Sequence, residues 1–371
     1  MSRSRSPAEL GAQSWDETTC LDGRGLGLDS LERLSASAAL SEFFHLHEYG
    51  AEDYLLSLPT VGEWCDLVEQ SLSATGTHLT FRTSGTGGTP KRCTHALADL
   101  MIEVDAWRDM LGEISQVVSV VPSHHIYGTI FTALLPDYIK VDCVNARFGG
   151  ANIVSRSGPR SLVVGNPPMW TYLARSLDNF PVEMTGISST AALPAGLAQQ
   201  LSDGGLSRLI EVYGSSETGG IGYRLDPSAP FALLDHWRRE GDGDLSRSMA
   251  GHERVAHTMM DDAAWDDDTH FRLAGRRDGA VQVGGHNVFL DHVRQRLIEH
   301  AEVADAYVRF EPTTGRLKAF VVPANAISGK DIFIDQLDAW CSLTLKDAER
   351  PRIFSIGAAL PRTAMGKLSD W

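Results

Sequence analysis

The sequence predicts an α/β protein with a large N-terminal domain on a mainly parallel sheet and a small α+β domain after it. Between residues 76 and 277, strand-like runs alternate with helical ones: SQVVSVVP (115–122), SLVVGN (161–166), a helix around Leu193 to Leu201, and RLIEVYG (208–214). Such alternation favours parallel strands joined by crossover helices. Residues 278–371 read differently: a helix near Leu290 to His300, the strand pair ADAYVRFEP and GRLKAFVVP, then a helix near Ile332 to Leu345. Residues 1–75 form a third, mostly helical part that precedes both.

Composition narrows the function. At 371 residues with 43% hydrophobic content, the chain can build two or three domains with cores. The net charge of −15 argues against nucleic acid, whose phosphates need a basic face. No apolar run is long enough to span a membrane, and MSRSRSPAEL lacks the apolar core of a secretory signal. The five cysteines form no CxxC pair, which fits reduced thiols in the cytoplasm and no structural zinc.

In the leader, LGLDSL (26–31) runs into a helix, followed by EDYLLSLPTVGEWCDLVEQSL. This segment resembles the later part of an acyl carrier protein, with Ser30 as the phosphopantetheine position. Too few residues precede it for a full carrier, and Asp29 or Ser30 capping the next helix explains the same pattern.

The next element is the most informative. LTFRTSGTGGTPK (79–91) reads as a strand entering a glycine-rich loop that ends on Lys91. Thr83, Ser84 and Thr86 offer hydroxyls, the glycines starting with Gly85 free the backbone, and Lys91 adds a charge. Such a loop holds phosphate. It lacks the Gly-Lys-Ser/Thr ending of the ATPase phosphate loop. Cys93, close by, is expected simply to pack.

Three more segments follow in order: EVYGSSET (211–218), FRLAGRRDGAVQVGGHNV (271–288) and LPRTAMGKL (360–368). Together the four resemble the signature set of the adenylate-forming superfamily, which includes acyl- and aryl-CoA ligases, peptide-synthetase adenylation domains and luciferases. The resemblance implies a mobile C-terminal domain turning about a hinge at Asp278. It also implies ATP, Mg²⁺ and a carboxylic acid as reactants. Thr83, Ser84, Gly85, Thr86 and Lys91 would hold the β- and γ-phosphates. Tyr213 would stack on adenine, Gly214 would bind the nucleotide, Ser216 would contact the α-phosphate, and Glu217 the metal. The ribose acceptor is expected at Asp261, with Asp262 close behind, and Arg276 contacts the nucleotide. Lys367 would reach the α-phosphate and the substrate carboxylate.

The same resemblance implies a second step with coenzyme A, in which Gly284 and Gly285 leave a tunnel for pantetheine. VPSHHIYG (121–128) resembles the corresponding segment of 4-coumarate ligases, so His125 joins Lys367 and Glu217 as a candidate catalytic residue and lines the acid pocket with Ser189 and Ala191 of STAALP. His124 is expected to pack or cap. The leader FFHLHEYGAEDYLL and the short length are most similar to a bacterial 4-coumarate–CoA ligase group linked to activating the chromophore of photoactive yellow protein. A carrier-protein thiol in place of CoA, a hydroxybenzoate or fatty acid as substrate, and a non-catalytic nucleotide-binding role remain open.

Overall fold

Runs of Val, Ile and Leu form the central strands because both sheet faces are covered, which favours continuous apolar stretches over alternation. The computed structural model describes residues 16–23, 25–74, 78–83, 91–147, 149–194, 196–241, 243–251, 253–276, 279–325, 329–361 and 371. Ser84, Gly85, Thr86, Asp278 and Lys367 lie outside them, as do the side chains of Thr83 and Arg276. The described chain forms two compact units. The first takes residues up to 83, 91–257 and 265–271, and the second takes 258–264 and those from 272 onward.

In the first unit, helices Ser30–Phe44 and Val61–Ala74 pack around Leu21, Leu46, Leu55 and Trp64. Asp29 caps the first of them: its carboxylate accepts from the amides of Leu31 and Glu32, and Glu32 accepts from the Asp29 amide. The DSL pattern therefore has a capping role, worth about 1 kcal/mol. The end of this helix docks on the hairpin of β1 (His78–Thr83) and β2 (Lys91–Ala96). Phe43 meets Phe81 edge-on at 5.3 Å, and the Glu42 carboxylate accepts from both Arg82 and Arg92.

β3 (Gln116–Ser119), β4 (Cys143–Asn145), β5 (Ser161–Gly165), β6 (Thr185–Ser188) and β7 (Arg208–Ser215) run parallel, in the order β4-β3-β5-β6-β7. β8 (Gly219–Arg224) and β9 (Phe231–Leu233) then add antiparallel, so the sheet is mixed. The short β7–β8 turn imposes this, since parallel neighbours need a crossover of a dozen residues or more. β10 (Trp237–Arg239), β11 (Asp244–Ser248) and β12 (Arg254–Thr258) make a separate sheet. β13 (Asp261–Trp265) and β14 (His270–Arg276) carry the chain between the units, with His270 and Phe271 pairing to β9. One face of the main sheet buries Val118, Val163, Trp170, Leu173 and Leu201.

The second unit is a small α+β assembly, as the sequence predicts. β15 (Ala280–Val283) and β16 (His286–Phe289) form a hairpin, and helix Leu290–Ile298 follows. β17 (Val303–Glu311) and β18 (Arg316–Pro323) pair antiparallel, and β19 (Pro351–Ile356) joins β18 in parallel after helix Lys330–Thr344. Val293, Leu297, Leu317, Phe333 and Leu337 form its core.

Candidate active site

The carboxyl ends of parallel strands are where ligands bind in open α/β sheets. Here those ends lead into VPSHHIYG after β3, STAALP after β6 and the SSET turn after β7. Three segments singled out in the sequence thus emerge from one end of the sheet.

The turn after β7 is held tightly. The Ser215 amide donates to Thr218 Oγ1 at 3.1 Å, and the Glu217 amide donates to Ser215 Oγ at 3.2 Å. Gly214 stands where the β7–β8 register slips, and a Cβ there would lie 2.1 Å from the Gly219 carbonyl oxygen. Only glycine allows that approach. Ser216 is half-buried, and its carbonyl accepts a 2.7 Å hydrogen bond from His95 Nε2. The ring proton of His95 is thereby fixed on Nε2. Burial lowers the His95 pKa, against the opposing pull of that carbonyl.

Lys91 and Glu217 meet directly, with Nζ 2.9 Å from Oε1; Lys91 is 60% exposed and Glu217 34%. Burial pushes the Glu217 carboxyl up, but hydrogen bonds from Lys91 and from its own turn outweigh it and leave the group below its ordinary value. The same hydrogen bond holds Lys91 above its usual range. A cation and a carboxylate, partly open to solvent, are thus brought together at the sheet's end. Glu217 suits a hard cation: it is a charged oxygen donor on a fixed turn, with room for coordinated water.

Tyr213 lies half-buried against the edges of Phe231 and Phe271, at 5.8 and 5.6 Å. Those two rings stack at 5.7 Å, and the Arg224 guanidinium sits 4.3 Å over Phe231. Arg224 also pairs with buried Glu211 at 2.7 Å, while Glu211 accepts from the Leu193 amide. Ser189 is buried and donates to the Val212 carbonyl at 3.0 Å, which ties STAALP to β7; Ala191 is half-buried beside it.

His125 precedes helix Ile126–Thr129 as its cap residue and is exposed. His124, expected to pack or cap, is also exposed, its ring 4.4 Å from that of His125. The buried positions of this segment go to Ile126 and Tyr127 instead. Tyr127 went unnoticed in the sequence. Its hydroxyl lies 2.9 Å from the Gly165 carbonyl and 3.0 Å from that of Ile187, on adjacent strands. Burial raises its pKa well above the phenolic norm, so it stays neutral.

A buried pair behind the turn was also missed. Glu103 and Arg247 are each 1% exposed and lie 3.7 Å apart. Glu103 Oε1 accepts from the Gly220 amide at 2.9 Å and from Trp107 Nε1 at 3.1 Å. Arg247 donates to the carbonyls of Thr218 at 2.9 Å and Asp99 at 3.0 Å. The two side chains therefore grip the residues that follow Glu217. The signal was an acidic residue on a helix face otherwise taken by Leu100, Val104 and Trp107.

In the second unit, Asp261 opens β13 half-buried, with Asp262 exposed beside it, and Arg276 ends β14. Gly284 and Gly285 form the β15–β16 turn, with φ of 58° and 84°. That conformation alone calls for glycine at both positions. The two glycines expected to leave a tunnel for pantetheine are thus the turn between two strands.

Two family models match this chain: the AMP-binding enzyme over residues 63–246 and the AMP-binding enzyme C-terminal domain over residues 293–367. The chain is 39% identical over 352 residues to a 4-coumarate–CoA ligase of Halorhodospira halophila, covering 94% of this chain and 89% of that one. It is 36% identical over 362 residues to a 4-coumarate–CoA ligase of Rhodobacter capsulatus, covering 95% and 91%. The chain belongs to the AMP-binding enzyme family. Its chemistry is that of an AMP-forming acid–thiol ligase: a carboxylic acid is adenylated with ATP and passed to a thiol to form a thioester. A solved o-succinylbenzoate CoA synthetase from Bacillus subtilis shares the fold, with a TM-score of 0.60 at 19% identity over 78% of this AMP-binding enzyme and 67% of that chain. Among the described residues, no helix is long and apolar enough to cross a membrane.

Proposed function

We propose that this enzyme activates an aromatic, p-coumarate-like acid with ATP and Mg²⁺ and transfers the acyl group to coenzyme A. The observation that carries the reading is the Lys91–Glu217 pair at the carboxyl end of the parallel strands. The 4-coumarate–CoA ligases among the relatives support the choice of acid.

Two anions must meet in the first step, so the site has to cancel charge and hold an in-line geometry. In this reading Lys91 leaves Glu217 for the β- and γ-phosphates, with Thr83, Ser84, Gly85 and Thr86 beside it. Glu217 is freed to hold Mg²⁺, which when bound neutralises the phosphate charge. Tyr213 stacks on adenine, Gly214 borders the nucleotide, and Ser216 faces the α-phosphate. Asp261 accepts from the ribose hydroxyls, and Arg276 contacts the nucleotide. Lys367 stabilises charge at the α-phosphate. His125, Ser189 and Ala191 border the acid. Residues 278–371 act as a lid that turns about Asp278 between the half-reactions. Gly284 and Gly285 then leave room for pantetheine.

The test is acid-dependent pyrophosphate release with ATP and Mg²⁺, using p-coumarate, cinnamate, hydroxybenzoates and medium-chain fatty acids, with and without CoA. A p-coumarate signal that turns over only with CoA is the expected result. Preference for a fatty acid, or turnover only with a holo-carrier protein, would overturn the acid or the acceptor respectively.

A further inference from the structure

The end of the leader helix gathers a second set of ligand-type side chains, away from the SSET turn in sequence. His45 terminates helix Ser30–Phe44 in the left-handed region, with φ 55° and ψ 38°, and starts the short turn Leu46–Glu48. Leu46 is fully buried and anchors that turn in the core. The neighbours of Leu46 are thereby turned together: one ligand atom from each of His45, His47 and Glu48 lies within 4.8 Å of the others.

His45 is held from both sides. Its Nε2 lies 2.7 Å from Thr80 Oγ1, which is bonded in turn to Thr94 Oγ1 at 2.7 Å. Its Nδ1 lies 3.1 Å from Glu48 Oε1. When Nε2–H donates to Thr80, the Nδ1 lone pair faces a carboxylate, an arrangement that a shared proton or a bound metal ion satisfies. The separation fits two ligands each about 2.0–2.2 Å from one ion. An imidazole fixed through its second nitrogen is also how metal-binding histidines are oriented. The ring of His78, on β1, lies 5.9 Å from that of His45.

We propose that His45, His47 and Glu48 form a binding site for a divalent transition-metal ion of the zinc type, with His78 as the nearest further ligand. Two imidazoles and one carboxylate suit zinc, cobalt or nickel, whereas Mg²⁺ selects oxygen donors. The site is therefore chemically distinct from the one proposed at Glu217. His47 and Glu48 are exposed, so an ion can enter from solvent. Through Thr80 and Thr94 a bound ion ties the leader to both strands of the β1–β2 hairpin.

The experiment titrates chelator-stripped full-length protein with Co²⁺, read by visible ligand-field absorption, followed by displacement with Zn²⁺. The expected result is one saturable ion per chain without the near-ultraviolet thiolate band that cysteine ligation would give. Zn²⁺ also raises the melting temperature of the parent. His47→Ala and Glu48→Gln, both exposed positions, fold normally by urea titration and weaken binding by at least about tenfold. No saturable binding, a thiolate band, or equal affinity in both variants would overturn the proposal and leave His45–Glu48 as a simple ion pair.

Discussion

Two ion pairs converge on the SSET turn, and they are built for opposite purposes. Glu103–Arg247 is sealed in the core at 3.7 Å, with backbone groups bonded to Glu103 Oε1 and to both terminal Arg247 nitrogens, while Glu103 Oε2 and Arg247 Nε have no hydrogen-bond partner among the described residues. Lys91–Glu217 is closer, at 2.9 Å, yet open to water. Burial makes the first pair costly to break, because either partner left alone is a stranded charge. Exposure makes the second cheap to exchange. In the proposed reaction the turn stays in place while its carboxylate changes partners, and one pair of each kind suits that.

The largest effect should come from splitting the buried pair. Arg247→Met removes the donors to Thr218 and Asp99 and strands Glu103, whose pKa burial already raises. Urea unfolding should show a loss of about 3–5 kcal/mol, partly recovered in the double variant Arg247→Met/Glu103→Gln. A loss below about 1 kcal/mol would mean the pair does not brace the turn.

Next comes the exposed carboxylate. Glu217→Gln keeps the shape of the side chain and removes its charge. Pyrophosphate release should fall by about 10²–10³-fold, the scale of losing one electrostatic contact to the transition state, with stability changed by less than about 1 kcal/mol. Wild-type release would remove Glu217 from the metal-binding role and leave the buried pair bracing a turn without that function.

The buried side also predicts a pH dependence. His236 is 5% exposed, and burial, then the Arg247 charge, pull its pKa down to about 3 from 6.5. The unfolded chain therefore binds a proton that the folded chain refuses. This stabilising contribution is full above about 6.5 and is lost as pH falls toward about 3. Unfolding free energies measured across that window should decline less steeply in His236→Leu than in the parent. Equal slopes would show that His236 is not held neutral.

Much of this was legible in sequence, for a physical reason. Strands such as SLVVG and the pair in 304–323 announce themselves by composition, and the motifs that contain Lys91, Gly214 and Glu217 carry the family resemblance. The Glu103–Arg247 partnership was not legible, because it joins a helix to a distant strand, and only the apolar helix face around Glu103 carried a signal. Tyr127 was not legible either, because the carbonyls its hydroxyl meets lie on β5 and β6, far away in the chain. Gly284 and Gly285 show the opposite hazard, since a positive-φ hairpin turn explains them without any ligand.

The smallest effect should be on the stability supplied by the open pair. The Glu217 pKa is held low in the folded state, so this stabilisation is complete above the ordinary carboxylate pKa and is lost as pH falls through the depressed one. Both partners are substantially exposed, so the whole term is expected to be below about 1 kcal/mol. Lys91→Met should therefore melt within a few degrees of the parent at neutral pH, and the small difference should vanish in acid. Its affinity for ATP should weaken clearly even so, because the ammonium is then missing where phosphate needs it. A large stability loss in Lys91→Met would mean that the pair is a structural tie like Glu103–Arg247, and that it does not open to admit the nucleotide.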